Sequence, residues 1–192
     1  MFIGAMLMAG MMAFNSANAQ SVDEIWDELN TRDFKDALKD RCKDDDQYMA
    51  EVGKATSATA HGAERQALLN CQQLLKMRLE QTVKGVVEDL THDEQMESPE
   101  AYDAITLRKI NTGFQSVIEK SIGRTIKCYS VSRRNEKGQY EARYNGKIAI
   151  EEFVKEAKST ISQDALLRAN IGLNEFEQSF REHLKNSSSS AE

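Results

Sequence analysis

The sequence predicts an α+β fold: an antiparallel sheet of about four strands, an Ala-rich helix packed across one face, and peripheral helices at both ends. Three observations carry this. Apolar residues alternate around Tyr48, Ala50 and Val52, then recur at three- and four-residue steps from Ala60, then return to a β-branched run. A second alternating pair of runs is joined by Asn135-Glu136-Lys137-Gly138, a hairpin turn in which Gly supplies positive φ. Amphipathic segments flank this body on either side.

Residues 1–19 carry no charge, and their apolar run is too short to span a hydrocarbon core of ~30 Å. The run closes on Ala17-Asn18-Ala19, a small-x-small pattern that fits a signal peptidase, so residues 1–19 are read as a signal peptide and Gln20 as the new terminus. No Lys or Arg precedes the run. The first cysteine is Cys42, far from that site, so no lipid anchor is expected. No later stretch is apolar enough for a transmembrane segment in the mature chain.

Residues 20–46 read as an N-terminal helical arm. Ser21 and Glu24 form a capping-box pattern ahead of Ile25, Trp26 and Leu29. Thr31 restarts a helix through Phe34, Ala37 and Leu38, and the charged run 39–46 is a solvated loop. Residues 47–185 form the main domain. Its first strand, 47–57, is expected to bury Tyr48, Ala50 and Val52. Ala60, Ala63, Ala67, Cys71, Leu74, Leu75 and Leu79 then mark a helix of about twenty residues whose small early side chains allow close approach to a sheet. Residues 82–91, with Val83, Val86, Val87 and Leu90, read as a second strand.

Ser98-Pro99-Glu100 is a strong helix start, and Tyr102, Ile105, Ile110, Phe114, Val117 and Ile118 extend the stripe to about Ser121, weakened at Gly113. Residues 122–134 form a strand with Tyr129 and Val131 on one face. Its partner puts Tyr140, Ala142, Tyr144, Ile148 and Ile150 inward. Glu141, Arg143, Asn145 and Lys147 are expected to face water. Phe153, Val154, Ala157 and Ile161 mark a short helix, and Asn174 caps a last one through Phe176, Phe180 and Leu184. Residues 186–192 read as a disordered tail.

The chemistry is sparse. A net charge of −6 offers no basic excess for phosphates, so nucleic-acid binding is not expected. His61, His92 and His183 stand in no zinc-binding spacing. His61 reads as a turn residue, His92 with Asp93 and Glu94 as a polar loop, and His183 with Glu182 and Lys185 as an exposed helix face. Asp44-Asp45-Asp46 lacks the spaced ligands of a calcium loop. The run Gly53-Lys54-Ala55-Thr56-Ser57 lacks phosphate-loop spacing, and no nucleophile elbow occurs. Arg133, Arg134, Lys137 and Arg143 read as a solvated hairpin tip rather than a patch for anionic lipid or polysaccharide. Cys71 sits on the helix's apolar face as a small core residue. Among Cys42, Cys71 and Cys128, either no disulfide or one is open, and Cys42 with Cys128 is the pair singled out.

Several blocks carry a resemblance: Gly53-Lys54-Ala55-Thr56-Ser57; Ala60, Ala63, Gln66-Ala67-Leu68, Cys71 and Leu75; the run 83–90; Ile126-Lys127-Cys128; the hairpin strand 138–144; and Ile148-Ala149-Ile150-Glu151. Together, over residues 48–161, they resemble exported proteins of the twenty-kilodalton LPP lipoprotein family, which is similar to the amino-terminal domain of the flagellar H-ring protein FlgT. The resemblance implies an α+β module of the Gram-negative envelope, periplasmic or secreted, with no catalytic residues to carry over. The absence of an acylated cysteine departs from the lipoprotein members. The expected role is a non-enzymatic envelope scaffold that binds other envelope proteins or itself. The alternative is a small-ligand or surface-binding factor using the face of the sheet. No catalytic, cofactor-binding or metal residues are assigned, and no cofactor is expected.

Overall fold

The computed structural model describes residues 45–97 and 104–189. The signal peptide, the arm up to residue 44, the Ser98-Pro99-Glu100 helix start and residues 190–192 lie outside them. The described elements are β1 (Tyr48–Ser57), α1 (Ala60–Glu97), α2 (Ala104–Gly113), α3 (Gln115–Gly123), β2 (Ile126–Arg134), β3 (Tyr140–Ala149), α4 (Ile150–Gln163), α5 (Ala165–Asn170) and α6 (Leu173–Ser189).

The strands form an antiparallel sheet in the order β1-β3-β2. Asn135 closes the β2–β3 hairpin. Its backbone N–H donates to Gln139 O at 2.7 Å, and its side-chain oxygen accepts the N–H groups of Lys137 and Gln139. Gly138 takes φ +75°, as expected of that position. The α+β class therefore holds, with α1 laid across one face of the sheet. Thr59 starts α1, its hydroxyl accepting the Gly62 N–H at 3.1 Å.

Residues 82–91 correct the sequence reading: they are helical. α1 runs for 38 residues, and Val83, Val86 and Val87 are buried along it. Their spacing of three and four residues is the helical one, and it outweighs the strand preference of valine. The sheet thus has three strands among the described residues rather than about four.

Gly53 fixes how helix and sheet meet. A Cβ there would collide with the backbone of Ala67 and Cys71, so β1 and α1 touch main chain to main chain. Ala63, Ala67 and Cys71 are fully buried at that contact, as their small size predicts. Gly53 pairs with Tyr144 across the ladder, so the two share a face. Alternation then puts Met49 and Gly53 of β1, and Ala142, Tyr144 and Ile148 of β3, toward α1. This corrects the β1 reading: Tyr48, Ala50 and Val52 lie on the other face.

The core continues beyond the sheet into an aromatic layer. Phe114 stacks on Phe176 at 5.4 Å, Phe176 on Phe180 at 5.9 Å, and Phe180 on Phe153 at 5.0 Å. Those rings come from α4, α6 and the break at Phe114 between α2 and α3, the place where Gly113 interrupts the stripe. Asp164, whose carboxylate accepts the N–H groups of Leu166 and Leu167, caps the short α5, an element absent from the sequence reading. α6 begins at Leu173 and extends through Ser189, into the stretch read as the start of an unstructured tail. β2 begins at Ile126, because residues 122 and 123 close α3.

Candidate functional site

Cys71 is the buried nucleophile candidate, and its surroundings make it inert. Its Sγ–H donates to Glu51 O at 3.2 Å, and Gly146 and Gly53 pack around it. Burial pushes the thiol up to about 11, so little thiolate forms at neutral pH. Cys71 is a free thiol, whereas Cys128 is disulfide-bonded. Iodoacetamide is therefore expected to leave the native protein's Cys71 unmodified and to label it after unfolding without reductant. Mass spectrometry of intact and digested protein checks this; labelling of Cys128 without reduction would contradict it.

The histidine expectations fare unevenly. His61 is exposed in the first turn of α1 rather than in the turn before it. The side chain of His92 lies outside the described residues. His183 corrects its reading as a solvated residue: its Nε2 meets Asp89 Oδ2 of α1 at 2.6 Å. The ring lies over Gly85, where a Cβ would stand 2.7 Å from His183 Cε1. The pair thus pins α6 to α1.

The other charged groups serve the same end. Glu156 of α4 accepts from Arg124 at 2.6 Å and pairs with Lys120 at 3.0 Å, tying α4 to the end of α3. Glu177 of α6 holds Lys158 at 2.9 Å and Arg181 at 3.1 Å, and Arg181 reaches Glu151 at 2.9 Å. Hydrogen bonds from Lys158, then Arg181, hold the Glu177 carboxyl below its ordinary 4.5. The resulting stability is fully present above that ordinary value and is lost as pH falls through the depressed one. Glu177→Gln is expected to shrink the fall in melting temperature between neutral pH and acid below that ordinary value, read by circular dichroism melts across that range.

Asp45 has a structural role. Its Oδ1 accepts the N–H groups of Gln47 and Tyr48, each at 2.8 Å, where the chain turns into β1. Residues 53–57 are strand and form no phosphate loop. In the basic group at the hairpin, Arg134 donates to Gly138 O at 3.0 Å, while Arg143 is half-buried rather than solvated. Among the described residues no cluster of His, Cys, Asp and Glu assembles a metal site. No described helix is long and apolar enough to cross a membrane.

What remains is the sheet face opposite α1, and it departs most from expectation. The residues read as facing water there include Asn145, which is 0% exposed. Val52 and Val131 flank it at 8% and 7%, buried yet outside the cluster that fills the core. Asn145 and Tyr129 pair across the ladder on this face. The Nδ2 and Oδ1 of Asn145 make no hydrogen bond, a state that costs roughly 1–3 kcal/mol for a buried polar group. Lys147 places its Nζ 3.6 Å from the Tyr48 ring centroid at one end, and Lys54, Arg133 and Arg143 stand toward the hairpin end. The face thus has a buried centre of two valines and one amide, with basic residues toward both ends and Glu141 opposite Arg133. Sequence alternation alone found the face but not its burial, because period two says which residues share a side and not what covers them.

No family model matches the chain, and comparisons with curated proteins and with solved structures give no match either.

Proposed function

We propose that this chain is a non-enzymatic, exported cell-envelope module that binds or scaffolds other envelope components. The observation that carries the reading is the disulfide-bonded Cys128. Such bonds persist in oxidising compartments and are rare where thiols are kept reduced. The uncharged run 1–19 with its Ala17-Asn18-Ala19 end agrees with it. So does the use of His183, Glu156, Glu177 and Cys71 in packing and cross-bracing. The likeness of residues 48–161 to the LPP-type family and to the amino-terminal domain of FlgT belongs to this proposal, as does a periplasmic or secreted location in Gram-negative cells.

In-cell cross-linking on fractionated envelopes, with terminal sequencing of the recovered chain, tests it. The expected result is a terminus at Gln20 and adducts to envelope proteins or to a second copy. A mature chain that retains Met1, or one that stays monomeric with no adduct, overturns it.

Asn145 favours a second reading, a small-ligand factor using the sheet face, since a buried amide without partners is what an orienting group in an apolar site looks like. Native mass spectrometry discriminates: extra bound mass that Asn145→Val removes supports the ligand. Unliganded protein whose Asn145→Val variant melts at the same or a higher temperature supports a purely packed face.

A further inference from the structure

We propose that two copies of this chain associate through the outer ridge of α1, antiparallel about a two-fold axis at Gln73. The inference rests on the scaffold reading above and deepens it, naming the partner as a second copy and giving the surface it uses.

α1 turns one side to the sheet, where Ala63, Ala67, Cys71, Leu75 and Leu79 are buried at four-residue steps. The ridge on its opposite side follows the same step: Arg65, Leu69, Gln73, Met77 and Gln81, every one exposed. Polar residues are expected throughout an outward ridge. Instead Leu69 is 48% and Met77 45% exposed, and Leu74, also exposed, adjoins Met77 at a three-residue step. These are three of the five large apolar side chains exposed among the described residues, gathered within nine positions. Single exposed apolar side chains are ordinary, whereas a cluster of them on one helix marks a contact surface.

The order of residues along the ridge says which contact. Leu69 lies four positions before Gln73 and Met77 four after. A two-fold axis at Gln73 therefore sets Leu69 of each copy beside Met77 of the other, and the surface is its own complement, as a closed dimer requires. Gln73 meets itself on the axis, and a carboxamide both donates and accepts, so the two can bond to each other. Charge agrees. Arg65 and Glu80 share one flank of the ridge, eight positions before the axis and seven after, so the axis brings Arg65 of each copy to Glu80 of the other. Lys76 is on that flank too, and its stem covers Leu69 of the other copy. The opposite flank, with Gln66, Asn70, Leu74 and Gln81, is uncharged, so no like charges meet there. Ridges of four-residue steps are also those by which helices most often interlock. A single helix pair is a small interface, so the dimer forms at high concentration and dissociates on dilution.

Sedimentation velocity of the purified protein across a concentration series tests this, with a reversible dimer expected. Leu69→Asp and Met77→Asp are each expected to weaken association at least ~10-fold, because the symmetry repeats every change. Both positions are exposed, so circular dichroism melts stay unchanged. Gln73→Cys under mild oxidation is expected to give a disulfide-linked dimer, while Leu173→Cys, exposed on α6, is not. The buried Cys71 does not compete. Arg65→Glu and Glu80→Arg each weaken association a few-fold, and the double variant restores it. A protein that stays monomeric throughout overturns the inference; adducts to other envelope proteins in cells would then leave the scaffold reading standing. A dimer that neither Leu69→Asp nor Met77→Asp weakens, or that Gln73→Cys does not link, also overturns it, since another surface would be in use. A double charge variant that fails to recover overturns the antiparallel register.

Discussion

Gly53→Ala is expected to destabilise the protein by at least ~3 kcal/mol, the upper part of the range for forced overpacking. Typical stabilities are only about 5–15 kcal/mol, so much of the folded population is at stake. The reason is the nature of the obstacle. The added methyl meets the backbone carbonyl of Ala67 and the backbone nitrogen of Cys71, and neither can rotate aside as a side chain can. Relief requires moving the whole of β1 away from α1, which opens the contact lined by Ala63, Ala67 and Cys71. Gly146 is the natural comparison. A Cβ there meets Thr125 Cγ2 at 2.6 Å and Cys71 Sγ at 3.1 Å, both side-chain atoms. Gly146→Ala is expected to cost less, and Cys71→Ala to relieve part of that cost while leaving Gly53→Ala unrelieved. Urea denaturation midpoints of the three single variants and of Cys71→Ala combined with each glycine variant measure this, with unchanged slopes required for the comparison.

Phe176→Ala is expected to cost ~3–5 kcal/mol, the range for deleting a buried aromatic ring. Phe176 is fully buried and is the ring that stacks on both Phe114 and Phe180, so its loss opens a cavity between α6 and the α2–α3 break. Phe176→Leu keeps most of the apolar volume and is expected to cost distinctly less. Equal losses for the two variants would mean that ring stacking, rather than volume, holds the layer. The polar braces cannot make up the deficit: the half-exposed pairs of Glu156 and Glu177 belong to a class usually contributing under ~1 kcal/mol each.

The two variants probe parts of the molecule that differed in how readable they were. Ala63, Ala67 and Cys71 at four-residue steps announced a helix that must come close to something flat, and the Asn135 turn with the alternation of Tyr140, Ala142 and Tyr144 announced the strand beneath it. Both signals are local periodicities, and local periodicity survives in one dimension. The run 82–91 was misread because valine's preference for strands was weighed above the spacing of Val83, Val86 and Val87. α5 was missed although Asp164 is an ordinary capping residue, because six residues leave no period to detect. The candidate face was the least legible part. Asn145 reads as solvated in any pattern of alternation, and Val52 and Val131 fit equally well on either side of a sheet. Alternation says which residues share a side of a sheet and is blind to what lies against that side. His183 and Asp89 illustrate the same limit, since a pairing across ninety-four positions leaves no trace in either neighbourhood.

The strand order has a consequence for how the newborn polypeptide fares. β1 emerges first, yet its hydrogen-bonding neighbour β3 is the last strand to be made, after α1, α2, α3 and β2 have all appeared. At about 5–20 residues per second, an edge of ten residues waits several seconds for its mate. During that interval β1 presents unsatisfied amides and carbonyls to any other nascent strand nearby, the circumstance in which chains tangle. Slow closure of distant pairings also places this topology among the more leisurely folders of its size. Whatever escorts the chain during synthesis therefore has one task above others: to keep those ten residues apart from strangers until Tyr140 to Ala149 arrive.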